Sequence, residues 1–76
     1  MRPLREHDRV VLVSDVPSEK LATGDVGTIV HVHDAGQAYE VEFVALDGET
    51  VAVVTLDRDQ VRAVQQREIT HARRVA

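Results

Sequence analysis

The chain has 76 residues, a formal net charge of −4 and no cysteine. That length allows one domain with a small core, burying roughly 60% of the unfolded surface, and the lack of cysteine excludes a disulfide framework or a thiolate metal site. No apolar run exceeds four residues, as at Val10–Val13 and Val51–Val54, far short of a membrane-spanning segment.

Residues 1–8 form a polar lead-in without the apolar stretch of a secretory signal, so the expected location is the cytoplasm. Arg9 to Val13 reads as a first strand, with Val10 and Leu12 facing the core. Ser14 to Thr23 is a long polar connection. Pro17 bars a central strand there, and Val16 and Leu21 are placed to pin the loop onto the domain, with room for one short helical turn.

Gly24-Asp25-Val26-Gly27 then turns into Thr28-Ile29-Val30-His31-Val32-His33, a β-branched second strand. Both glycines suit positions where a positive φ or a close approach would penalise a Cβ. Ala35-Gly36 reads as a two-residue turn. It pairs His33 with Ala38, Val32 with Tyr39, His31 with Glu40 and Val30 with Val41. Tyr39-Glu40-Val41-Glu42-Phe43 alternates strictly, which sends Tyr39, Val41 and Phe43 inward and both glutamates outward.

Asp47-Gly48 predicts a type I′ hairpin turn into a fourth strand, Thr50 to Leu56. Asp57 to Gln60 predicts one helical turn closed by a capping box, and Val61 to Val64 a short last strand. The expected core is Val10, Leu12, Val30, Val32, Tyr39, Val41, Phe43, Val53 and Leu56. The expected fold is all-β: a five-stranded SH3-like barrel over residues 9–64, followed by a polar tail, residues 65–76, that is disordered or a marginal helix.

On Gly24-Asp25-Val26-Gly27-Thr28-Ile29-Val30, Tyr39 to Phe43 and Asp47-Gly48-Glu49, the chain resembles a family of short bacterial proteins of unknown function. That resemblance spans about residues 8–64; it implies a fold and no activity. Asp8-Arg9-Val10, Gly27-Thr28-Ile29 and Tyr39 to Phe43 also look like the SH3-like domain of the nitrile hydratase β subunit and its small activator proteins, which implies an accessory role. The Leu-Trp-Gly-rich segment of those proteins is absent here, and the chain has no Trp. The glycine spacing before a β-branched strand is similar to KOW domains as well, whose RNA-binding loops are basic where this one carries Asp25.

Charge divides the chain. Through Val64 there are six Arg/Lys against twelve Asp/Glu, and from Gln65 onward three Arg against one Glu. An acidic body is a poor phosphate-tracking surface and a suitable one for a basic protein partner. The leading expectation is therefore a non-catalytic interaction module, an accessory or neutralising partner of another protein, such as one encoded nearby. Its docking residues are His31, Glu40 and Glu42 on the outer strand face and Asp15, Pro17, Glu19 and Lys20 in the first loop.

The alternative is nucleic-acid binding through Arg67, Arg73 and Arg74. No enzymatic site, cofactor, metal or membrane partner is expected. Glu40 and Glu42 alternate with apolar residues as a solvated face does, and no Ser or Thr has a base at a recognisable spacing. His31 and His33 lack the cysteines or the third convergent histidine that would complete a zinc site, His7 and His71 lying in the flanks.

Overall fold

The computed structural model describes residues 3–75. Five strands, β1 (Arg9–Leu12), β2 (Val26–His33), β3 (Ala38–Val44), β4 (Thr50–Asp57) and β5 (Val61–Ala63), form one antiparallel sheet in the order β4-β3-β2-β1-β5. The fold is all-β. Single 3-10 turns at Pro17–Glu19, Asp34–Gly36 and Arg58–Gln60 are the only helical pieces among the described residues. The hydrogen-bonded ladder leaves β4 and β5 as its two edges and does not close into a barrel.

The β2–β3 hairpin follows the expected turn. Ala35 and Gly36 both take positive φ, 54° and 97°, and the Gln37 N–H donates to the Asp34 carbonyl at 3.3 Å. His33, Val32 and His31 therefore face Ala38, Tyr39 and Glu40 in register. One residue further the expectation fails. The ladder slips between Ile29 and His31, so Ile29 and not Val30 pairs with Val41. Val30 is the extra residue of a β-bulge, and a bulge switches the face of everything beyond it. Ile29 is fully buried, whereas Val30 is 40% exposed.

Val53 is the second correction to the expected core. It pairs with Glu42, an outward residue, and is 50% exposed; Val54, opposite Val41, takes the inner face. Val53 and Leu56 are three positions apart and cannot share one face of a regular strand. The buried core comprises Val10, Leu12, Leu21, Ile29, Tyr39, Val41, Phe43, Leu56 and Val61, with Val32 packed against it.

The β3–β4 connection is also not the type I′ turn that Asp47-Gly48 predicts. Only Gly48 takes a positive φ there (94°), and the turn closes by Gly48 N–H to the Ala45 carbonyl and Ala45 N–H to the Glu49 carbonyl, each 2.8 Å. A longer loop needs just one left-handed residue, and glycine supplies it without steric cost. Before β5, Asp57 and Gln60 form the expected capping box, the Asp57 N–H donating to Gln60 Oε1 at 2.9 Å.

Gly24 and Gly27 are required for different reasons. Gly24 has φ 96°, while a Cβ on Gly27 would lie 2.6 Å from Val41 Cγ1, 2.9 Å from Phe43 Cε1 and 3.0 Å from the Glu42 carbonyl. The second glycine lets β2 seat directly on the Phe43 ring.

Candidate functional site

The outer face of β2, β3 and β4 is built in rows fixed by the register: Thr28, Glu42 and Val53 in one, His31, Glu40 and Thr55 in the next. Within it the carboxylates are held. Glu40 Oε1 accepts from Thr55 Oγ1 at 3.0 Å and lies 3.1 Å from His33 Nε2; Glu42 Oε2 accepts from Thr50 Oγ1 at 2.9 Å. His31 is Glu40's register partner, yet its Nδ1 points toward Glu6 Oε2 at 3.8 Å, and its ring meets that of His33 edge-on with centroids 4.5 Å apart. The Glu40 carboxylate is therefore contacted by the diagonal neighbour, His33, and not by its register partner.

The His33 contact, followed by the Thr55 hydroxyl, holds the Glu40 carboxyl below the usual carboxylate range. A group shifted this way is a fixed anion at neutral pH, whereas a general acid needs the opposite shift. No group of three or more metal-ligating side chains is gathered among the described residues. Chemically the face offers two anchored carboxylates beside two half-exposed valines, Val30 and Val53.

The first loop is tied down more firmly than its composition implies. A Val16–Leu21 bridge closes it, Leu21 is buried in the core, and Lys20 sits at φ 59° after the 3-10 turn. Asp15 Oδ1 accepts both the Thr23 N–H (2.8 Å) and the Thr23 hydroxyl (2.9 Å), and these bonds lower its pKa. Asp15 thus staples the loop to itself, while Pro17, Glu19 and Lys20 are left exposed.

The tail contributes what sequence reading missed. From residue 65 to 75 it forms neither helix nor strand. Glu68 grips Arg62 through two hydrogen bonds of 2.9 and 2.7 Å and takes the Gln65 N–H at 2.6 Å, which lowers its pKa to about 2. Arg73 then reaches back to the glycine turn. Its Nε donates to Asp25 Oδ1 at 2.8 Å, and its Nη2 to Asp25 Oδ2 at 2.5 Å and to the Lys20 carbonyl at 3.0 Å.

Asp25, whose side chain is only 13% exposed, also accepts the Ala22 N–H, and the arginine is the main cause of its lowered pKa. Of the three arginines expected to form a nucleic-acid surface, Arg73 is thus engaged internally; Arg67 and Arg74 are exposed. Between the tail and the sheet lies a cavity of about 580 Å³, lined by Leu21, Phe43 and Val51 on the sheet side and by residues 70–75 on the other.

No curated protein and no solved structure matches the chain. A family model does match, that of a domain of unknown function, DUF4926, over residues 6–63. The matched segment takes in all five strands and stops before the tail, and the chain belongs to that family.

Proposed function

We propose that the protein is a non-catalytic interaction module that binds a basic surface of another protein through the outer face of β2–β4. One observation carries the reading: Glu40 and Glu42 are anchored anions beside exposed Val30 and Val53 on a rigid strand face. An apolar centre with placed charges is the composition that protein interfaces use, the charges setting specificity and encounter rate. Pre-anchored side chains also lose little entropy on binding.

Five short strands, the long pinned first loop and the 3-10 turn before β5 support an SH3-like architecture for this module. A cytoplasmic accessory or neutralising role, with the partner encoded nearby, agrees with that reading. The exposed Pro17, Glu19 and Lys20 of the first loop are a second contact region within it.

The test is affinity capture from the native cell with wild-type protein and with the double variant Glu40→Lys/Glu42→Lys. The proposal expects the same identified protein to be enriched by the wild type and lost from the variant. Equal recovery on both would remove the outer face from consideration and move the search to the Ser14–Thr23 loop.

A further inference from the structure

We infer that the groove beneath the C-terminal segment is a second binding surface, one that takes an extended segment of a partner protein carrying an arginine and a nearby aliphatic residue. Residues 70–75 occupy it in the partner's absence. The inference rests on the reading of the protein as an interaction module and names a surface that borders the β2–β4 face, sharing Thr28 and Glu42 with it.

The chain's own tail displays the recognition chemistry. Asp25 offers both carboxylate oxygens to a guanidinium, and the Lys20 carbonyl accepts a further N–H. This fork-on-fork geometry suits arginine and not lysine. Next to that anchor lie the apolar Leu21, Phe43 and Val51, with the exposed Val44 and Leu46 also lining the groove. The charge is complementary as well: Asp15 adds to the field at the guanidinium, and Glu42 and Asp47 line the same cavity.

Two features make the tail a replaceable occupant. It covers the groove without filling it, leaving the cavity of about 580 Å³. It has no regular structure, it follows Arg67 in a left-handed conformation (φ 66°), and it lies outside the residues that define the family domain. A tethered occupant competes at the high effective concentration of an intramolecular ligand. A free segment therefore binds well only when the Arg73 anchor is withdrawn or when the partner adds contacts elsewhere.

The probe is a fluorescein-labelled peptide of residues 67–75, followed by anisotropy against the full-length protein. Arg73→Ala protein is expected to bind it about tenfold or more tightly than wild type does. A peptide carrying Arg73→Ala should lose that affinity. Because Asp25 also holds the Ala22 N–H, the anchor is tested by altering the peptide and not by substituting Asp25, which leaves the folded protein unchanged.

Adding Glu40→Lys alone, since Glu40 does not line the groove, to the Arg73→Ala protein should leave peptide binding unaltered, so failure here and failure of the β2–β4 face are told apart. The inference is overturned if Arg73→Ala protein, folded by circular dichroism, binds neither peptide or binds both equally.

Discussion

Arg73 and Asp25, 48 positions apart in the chain, face each other through two hydrogen bonds, Nε to Oδ1 at 2.8 Å and Nη2 to Oδ2 at 2.5 Å. The pair joins the irregular tail to the turn that starts β2. Charge-assisted bidentate pairs are among the stronger polar contacts, and here the carboxylate side is the more sheltered partner. Arg73→Ala should free residues 70–75, read as a drop in their heteronuclear NOE, while the dispersion of the β-sheet amide shifts is kept.

Acid should release the same segment. Asp25's pKa is lowered in the folded protein, chiefly by the Arg73 hydrogen bonds. The contact is therefore fully present above the ordinary aspartate pKa, near 3.8, and is lost as pH falls through the lower folded value. NMR of the His71 and Arg73 amides during an acid titration checks this. A tail that loosens while pH is still above the ordinary range would contradict it.

Glu68 gives a second acid signature within reach of measurement. Its carboxyl titrates at about 2, against an ordinary value of 4.5, because Arg62 and the Gln65 N–H hold the anion. Its contribution is complete above 4.5 and fades toward 2. In Arg62→Ala protein the side-chain carboxyl shift of Glu68 should move most of the way back to the ordinary value.

The bulge at Val30 makes two neighbouring positions energetically unlike. Ile29→Ala should cost about 2–5 kcal/mol, as for any fully buried aliphatic, and Phe43→Ala about 3–5 kcal/mol. Val30→Ala, at a position 40% exposed, should stay below about 1 kcal/mol. Urea denaturation of the three variants checks the order. Similar losses for Ile29→Ala and Val30→Ala would mean that the bulge is misplaced.

Gly27→Ala should destabilise by about 1–3 kcal/mol through overpacking. The new methyl meets Val41, Phe43 and the backbone carbonyl of Glu42, and the last of these cannot swing aside. An unchanged melting temperature would show that β2 and β3 can part without cost.

The parts of this fold that sequence reveals are those set by local chemistry. Strict alternation from Tyr39 to Phe43 determines which face Glu40 and Glu42 take, and Ala35-Gly36 determines the hairpin pairing. Val30 defeats that logic. Ile29 and Val30 are equally fit for burial, and only the three-dimensional fit of β2 against β3 decides which one becomes the extra residue. Val53 and Val54 pose the same ambiguity in a run that is apolar on both faces.

The tail was illegible for another reason: Asp25 and Arg73 carry no local pattern, and their pairing exists only once the sheet has brought the glycine turn beside residues 70–75. Glu40 and Glu42 lay in plain view, but the choice of His33 over His31 as Glu40's partner depends on side-chain direction across the ladder.

The central claim, that β2–β4 presents a docking face for a basic protein, is met most directly by a titration of isotope-labelled protein with the partner identified by affinity capture. The account predicts chemical-shift changes centred on Val30, His31, Glu40, Glu42, Val53 and Thr55, with an affinity that falls about tenfold or more in Glu40→Lys/Glu42→Lys. Shift changes confined to β1 and β5, with the charge-reversed variant binding as tightly as wild type, would contradict it.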